Sequence, residues 1–172
     1  MRVVFLDFDG VLNSARWCAD LQRKYAGFTE ADRRKFDEAE WFDPALVARA
    51  GALCLEAGAV IAVHSSWRAR HPAAALRDLL RRAGLPRGVP VARCAPGCSK
   101  GEAVARFLRA AARWDPVESY AVLDDEDLSG ELPDPSRHVR VDGSVGLTEA
   151  DAVRARALLL LLAAPGGAIL ER

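Results

Sequence analysis

The sequence predicts an α/β fold: a doubly wound, mainly parallel sheet with helices on both faces. Strand-like apolar runs alternate with helical segments, the order typical of such sheets with right-handed crossovers. The apolar runs are continuous rather than alternating with polar residues, as expected for strands covered on both faces. A length of 172 residues, 51% apolar and 28% charged, is ordinary for one domain with a substantial core. We therefore expect residues 1–172 to form a single domain.

The first elements are a central strand, an insert and a helix. Residues 2–7 form an apolar run rich in Val and Phe, which predicts a buried central strand. Residues 14–41 mix charged and scattered aromatic residues, so we predict a small flap or cap-like insert with one helical piece; a solvated peripheral helix pair is the alternative. Asp43 and Pro44 then suit the N-cap and first position of a helix that ends at Gly58.

The rest of the chain continues the alternation of strands and helices. The predicted elements are a strand in "AVIAVHSS", a helix in "HPAAALRDLLRRAG", a short strand in "GVPVAR", a Ser-capped helix in "SKGEAVARFLRAAARW", strands in "SYAVLDD" and "HVRVD", and a helix in "LTEADAVRARALLLLLAA". The run Leu158–Leu162 in the last helix fits a core position or an interface equally well.

Charge and apolar runs limit the classes of partner. The 24 basic and 24 acidic residues balance to zero formal charge. A polyanion would therefore have to bind a local group of basic residues, because the net charge does not attract it. No leader pattern precedes "VVFLDFDG", and the longest apolar run, residues 157–164, is too short to cross a bilayer. We expect a cytoplasmic protein without membrane contact, and no pattern indicates an obligate protein partner.

The four cysteines are predicted to be reduced thiols. Their irregular spacing in a chain with an ample core is unlike a disulfide framework. Cys94 and Cys98, even together with His64 and His71, do not match the spacing of a zinc site.

Polar residues follow the predicted strands at the edge where open parallel sheets bind ligands. The first strand ends in Asp7 and Asp9, the second in Ser65 and Ser66, and the penultimate strand in Asp124 and Asp125, while Lys100 begins the helix that leads to that strand. These side chains are therefore expected to converge on one place.

The acidic pairs predict a Mg²⁺ site. Asp7 and Asp9 can share one face of an extended chain, and two carboxylates so close repel unless a cation lies between them. With Asp124 and Asp125 they form a cluster of hard oxygen ligands, which suits Mg²⁺. Gly10 lets the chain turn sharply and brings N–H groups near an anion.

Each of these features also has a purely structural interpretation. "DFDG" alone fits a turn between two strands, "DD" fits a polar loop that caps a helix, and Ser65 fits the N-cap of the following helix. Lys100 fits a solvated first-turn residue, although a positive charge is unfavourable there unless an anion lies opposite.

As a set, the motifs resemble those of the haloacid dehalogenase (HAD) superfamily. "DFDG", Ser65, Lys100 and the "DD" of residues 124–125 match its four motifs in order. More narrowly, "FLDFDGVLN", "SSWR", "KGEAV", "VLDDED" and "GLT" are similar to the small HAD domain of multi-domain RNA-repair proteins, which is thought to act as a phosphatase. The chain departs from that subgroup in a lysine at 100, where arginine is frequent, and in a longer insert.

The resemblance implies a HAD-like Rossmannoid fold with a minimal cap and a division of catalytic labour. Asp7 would be the nucleophile that forms an aspartyl phosphate, and Asp9 would be the general acid and base. Mg²⁺ would be held by Asp7, the main-chain carbonyl of Asp9 and either Asp124 or Asp125. Lys100 and Ser65 would bind the remaining phosphoryl oxygens.

Three further residues are predicted to bind substrate. Gly10 and Ser66 border the expected phosphate position, and the guanidinium of Arg68 could clamp a second phosphate or a nucleic-acid backbone; an exposed salt-bridging arginine is the equal alternative. Trp67 is assigned to packing.

The predicted function is a Mg²⁺-dependent phosphatase acting on a phosphorylated small molecule or a polynucleotide end. The alternatives are a phosphotransferase, which would share the aspartyl intermediate, and a weakly catalytic or non-catalytic module that binds phosphorylated ends. The small insert at 14–41 suggests an open site able to admit a large substrate.

Overall fold

A sheet of five parallel strands is the centre of the described structure, a computed structural model in which residues 1–29 and 36–160 are described. The strands are β1 (Arg2–Leu6), β2 (Ala59–Val63), β3 (Val91–Arg93), β4 (Ser119–Asp124) and β5 (His138–Arg140). They lie in the order β3, β2, β1, β4, β5, with every neighbouring pair parallel. The predicted α/β class and the central position of the first strand are confirmed.

Helices connect the strands. The α-helices of the described residues are α1 (Ala15–Lys24), α2 (Pro44–Ala57), α3 (Ala73–Arg82), α4 (Lys100–Ala111) and α5 (Glu149–Leu160), with short 3₁₀ turns at Glu38–Trp41, Ser66–Ala69 and Pro135–Arg137. Asp43 caps α2 by accepting from the N–H of Ala45, and Gly58 ends that helix at a φ of 61°. Ser99 caps α4 in the same way.

The pleat divides the core into two layers, because successive strand residues point to opposite faces of the sheet. On one face, Val4 and Leu6 pack with buried residues of α2, α3 and α5. On the other face, Val3 and Phe5 pack with Ala103 and the other buried residues of α4. Helices therefore cover both faces, as predicted.

The C-terminal elements differ in length from the prediction. The last strand pairs only over His138–Arg140, so it is shorter than "HVRVD". The last helix begins at Glu149, and its predicted continuation to residue 164 lies outside the described residues. In the described part of the leucine run, Leu159 is buried in the core and Leu160 is exposed.

The two described parts of the insert, on either side of residues 30–35, contact each other. Leu21 of α1 and Ala39 of the following 3₁₀ turn are buried. The indole N–H of Trp17 donates to the carbonyl of Glu40 over 3.2 Å, and Lys24 pairs with the Glu40 carboxylate at 2.8 Å. These contacts join α1 to the 3₁₀ turn; the role of the insert as a cap stays a prediction.

Two further predictions concern cysteines and membranes. All four cysteines are free thiols, and Cys54 and Cys94 are buried. Burial raises the pKa of each of these two thiols to about 12. None of the described helices is both long enough and apolar enough to span a membrane.

Candidate active site

The sheet register brings Asp7, His64 and Asp124 into one row. Leu6 pairs with Val63 on one side and with Leu123 on the other, so the next residue of each strand follows in line. All three side chains lie within one group whose candidate ligand atoms are within 4.8 Å of one another. The predicted convergence of Asp7 and Asp124 therefore follows directly from strand pairing.

Lys100 connects the two carboxylates of this row. Its Nζ lies 2.8 Å from Asp7 Oδ2 and 3.0 Å from Asp124 Oδ1, with the exposed Glu126 carboxylate at 3.2 Å. Burial alone would lower the pKa of Lys100, but its interactions with Asp7 and then with Asp124 outweigh burial and raise that pKa. The ammonium is therefore held charged at the first turn of α4, where it faces anions.

Three groups contact the Asp124 carboxylate. It interacts with His64 Nε2 at 2.8 Å and with Lys100, and it accepts from the main-chain N–H of Glu126 at 2.9 Å. Burial would raise the pKa of Asp124, but the His64 hydrogen bond and the neighbouring positive charge outweigh it and lower the pKa. Asp124 is thus a buried anion with its own partners.

The two oxygens of Asp7 differ in their partners. Oδ2 accepts from Lys100, whereas the buried Oδ1 has no hydrogen-bond donor among residues 1–29 and 36–160. Burial, and then the negative charge of Asp124, raise the pKa of Asp7. An unpaired buried carboxylate oxygen is costly unless a cation or a donor reaches it.

Asp125 follows Asp124 in the chain and packs against two glycines. A Cβ on Gly10 would come within 2.3 Å of Asp125 Cγ, and one on Gly143 within 2.7 Å of Oδ2. Burial and then the charge of Asp124 raise the pKa of Asp125, with a smaller effect from Asp7. Among the described residues, the hydrogen bonds of His64 and Lys100 go to Asp124 and not to Asp125.

Asp9 lies beyond the end of β1 and is exposed. Its Oδ1 accepts from Asn13 Nδ2 at 2.9 Å, and its Oδ2 accepts from the indole N–H of Trp67 at 3.1 Å. Both oxygens of the carboxylate are therefore oriented by side chains from other parts of the chain.

The serines differ in exposure. Ser65 is fully buried, and its Oγ accepts from the N–H of Trp67 at 3.4 Å, so the N-cap interpretation of Ser65 holds. Ser66 is exposed and, with Cys98, Ser99 and Lys100, lines an open groove of about 510 Å³.

Arg68, which was predicted to bind substrate, has other contacts. Arg68 is 5% exposed, so neither a free guanidinium clamp nor an exposed salt bridge describes it. Its guanidinium donates to main-chain carbonyls on both sides of the groove: those of His64, Ser65, Ala95, Cys98 and Ser99. We revise its role to a structural brace, because no donor remains for a phosphate.

Gly10 is needed for its shape rather than for its N–H. That N–H donates to Asn13 Oδ1 at 3.0 Å, within the turn, instead of pointing at an anion. The φ of 74° and the contact with Asp125 are the reasons that glycine stands here. Its predicted place among substrate-binding groups is revised accordingly.

Three groups at the site, His64, Asn13 and the indole N–H of Trp67, were not predicted from the sequence. His64 could have been found, because it is the residue that follows β2 in register with Asp7. Asn13 lies four residues after Asp9 in the same turn, so its contact is local. No local pattern points to the contact of Trp67 with Asp9, since these two residues are far apart in the chain and meet only in the folded protein.

The donor set fits a hard divalent cation. Asp7 Oδ1, which has no partner among the described residues, and the Asp125 carboxylate are oxygen ligands, as Mg²⁺ prefers. The group formed by Asp7, His64 and Asp124 is less suitable, because the ammonium of Lys100 already neutralises it.

Comparison with known proteins identifies a family. A family model described as the HAD domain in Swiss Army Knife RNA repair proteins matches residues 3–152. No curated protein and no solved structure gives a significant match. The matched range contains every candidate site residue named above.

Proposed function

The chain belongs to the family of HAD domains in Swiss Army Knife RNA repair proteins, and from that premise we propose that it is a Mg²⁺-dependent phosphatase. The substrate would be a phosphomonoester on a small molecule or on a polynucleotide end. The observation that carries the proposal is that Asp7 pairs with Lys100 through one oxygen, while its other, buried oxygen has no partner in the part of the chain that the structure describes.

Asp7 would form the covalent intermediate. Its carboxylate attacks phosphorus, the bond from phosphorus to the leaving oxygen breaks, and Asp9 gives that oxygen a proton. In the second step water attacks the phosphorus of the aspartyl phosphate, Asp9 takes a proton from that water, and inorganic phosphate leaves with the Asp7 carboxylate restored. Because the displacement is divided into two steps, the Asp9 carboxyl group can serve as the acid in the first step and as the base in the second.

Mg²⁺ would be held by Asp7, Asp125 and the main-chain carbonyl of Asp9, where its charge would screen the nucleophile from the anionic phosphoryl group. The choice of Asp125 over Asp124 is supported by the three donors that already occupy Asp124.

Lys100 and Ser65 would bind the phosphoryl oxygens. Of the three carboxylates around Lys100, only Glu126 is exposed, so a phosphoryl oxygen can replace it without breaking the buried pairs. Contacts of this kind stabilise the charge that redistributes in the transition state.

The test is release of phosphate from an aryl phosphate with and without Mg²⁺. Wild type should turn over only with the metal, and Asp7→Asn should lose at least about 10³-fold, because the nucleophile is removed. Asp20→Asn, an exposed acid of α1, is the matched control. Equal inertness of wild type and Asp7→Asn across divalent metals would favour the alternative of a binding module.

A panel of substrates distinguishes the remaining alternatives. Nucleotides, sugar phosphates and oligonucleotides phosphorylated at either end should be compared at one Mg²⁺ concentration. Faster loss of substrate phosphate than appearance of inorganic phosphate, with an added alcohol as acceptor, would favour phosphotransfer.

A further inference from the structure

We propose that Asn13 and Trp67 are positioning residues that hold the Asp9 carboxylate for proton transfer. The inference rests on the proposed function, since it concerns the group that would act as acid and base. It is carried by two hydrogen bonds, one to each Asp9 oxygen, from side chains of two different segments.

Asn13 is fixed by the turn that follows β1. The main-chain N–H groups of Leu12 and Asn13 both donate to the carbonyl of Phe8, and Asn13 Oδ1 accepts from Gly10. Asn13 is 6% exposed, so the position of its amide is set by the turn, and Nδ2 can only face Asp9.

Trp67 is fixed by packing. Its ring contacts Phe8 and Phe42 at centroid distances of 5.9 and 5.3 Å, and His71 stacks on it at 5.5 Å. Only 7% of Trp67 is exposed, yet its indole N–H reaches the exposed Asp9 carboxylate. A buried ring that presents its single donor to an exposed acid does more than fill the core.

The two contacts define the plane of the carboxylate and leave it able to exchange protons. Each carboxylate oxygen has two lone-pair positions, and each donor occupies one of them. One position on each oxygen remains for a proton passing to the leaving group or from water. An unrestrained exposed aspartate would sample several rotamers, and misplacement by about 1 Å can cost about 10²-fold in rate.

The decisive variant is Trp67→Phe, which keeps an aromatic ring and removes the donor. Its effect should depend on the leaving group: kcat/KM for phenyl phosphate should fall about tenfold, and for dinitrophenyl phosphate about twofold or less, because a good leaving group needs no proton. Because kcat/KM includes only the steps up to formation of the aspartyl phosphate, the later role of Asp9 as base does not affect kcat/KM. Trp17→Phe is the matched control, since its indole N–H donates to Glu40 in the insert.

Combination with Asp9→Ala separates positioning from support of the fold. If Trp67 acts through Asp9, Trp67→Phe should add no further loss to Asp9→Ala. The same loss on both substrates, a further loss in the double variant, or no loss at all would overturn the inference. Asn13→Leu should show the same dependence on leaving group and serves if Trp67→Phe does not fold.

A spectroscopic measurement tests the contact without turnover. The indole ¹H–¹⁵N signal of Trp67, assigned from its absence in Trp67→Phe, should shift in Asp9→Ala, whereas that of Trp17 should not. An unmoved Trp67 signal contradicts the inference. If wild type had no metal-dependent activity, the proposed function would be contradicted. The measurement of the indole signal would still test the contact between Trp67 and Asp9.

Discussion

Asp124 and Asp125 are neighbours in the chain, but the fold uses them differently. Asp124 is fully buried among His64, Lys100 and the N–H of Glu126. Asp125 lies against Gly10 without those partners. We therefore expect substitution of the first to affect stability and substitution of the second to affect the metal.

The Asp124→Asn variant should lose about 1–3 kcal/mol of unfolding free energy, because the buried His64 and Lys100 side chains lose a charged hydrogen-bond partner. Asp125→Asn should unfold like wild type but need at least about tenfold more Mg²⁺ for half-maximal activity, a loss that even outer-shell partners of a metal can cause. Denaturant titration and Mg²⁺ titration measure the two effects. Asp127→Asn, an exposed acid of the same loop, is the control. If Asp124 were the metal ligand instead, Asp124→Asn and not Asp125→Asn would need more Mg²⁺ for half-maximal activity.

The Asp7→Asn variant should be more stable than wild type when metal is absent, and the difference should depend on pH. Burial and Asp124 raise the pKa of Asp7 above its ordinary 3.8, so folding favours the protonated form. The stability that this provides is present below the unfolded pKa and is lost as pH rises through the folded pKa.

Unfolding with a chelator present at pH 4 and pH 7 measures this effect. The advantage of Asp7→Asn should be small at pH 4 and reach about 1 kcal/mol at pH 7, a size common for substitutions that relieve a functional site. An advantage that shrinks as pH rises would contradict the assigned direction of the shift.

At the scale of elements, Arg68 links the turn after β2 to the loop before α4. Its guanidinium donates to carbonyls of His64 and Ser65 on one side, and of Ala95 and Cys98 on the other. The chain uses an arginine here because only a guanidinium has enough donors in one plane to serve two loops at once. The two loops that line the groove beside Lys100 are therefore joined by the buried Arg68 side chain.

The Arg68→Met variant should be destabilised by about 3 kcal/mol, because several buried carbonyls lose their donor. Urea unfolding measures the loss. Arg70→Met is the matched control, since Arg70 is exposed in the same segment and stacks over Trp67. Equal effects of the two substitutions would show that the carbonyl contacts of Arg68 contribute little.

At the scale of the whole molecule, the site lies where β1 and β4 meet the start of α4. A ligand that binds there contacts segments that are distant in sequence. Because these segments meet only in the folded protein, the ligand binds only the folded chain. Linkage then requires that the ligand stabilise the protein, by about 2.7 kcal/mol at a hundredfold excess over its Kd.

Saturating Mg²⁺ should therefore raise the Tm of wild type by about 5–10 °C, given the usual shift per kcal/mol for a chain of this size. Asp125→Asn should show little of this rise. Sodium chloride at matched ionic strength is the control for screening among the clustered carboxylates. An equal rise with sodium chloride would mean that no specific cation site is present.

Much of this architecture follows from local sequence. Continuous apolar runs predict buried parallel strands, the caps at Asp43 and Ser99 predict helix starts, and a parallel sheet brings strand ends to one edge. These features depend on neighbours within a few residues, so the order of elements and the meeting of Asp7 with Asp124 could be predicted.

Only the tertiary structure distinguishes Asp124 from Asp125, gives Arg68 its contacts with two loops and brings Trp67 to Asp9. The physical reason is that a hydrogen bond depends on distances of a few tenths of an ångström between groups far apart in the chain. Apolar periodicity reports which side of an element is buried, but the partner of each polar group is decided when the elements pack.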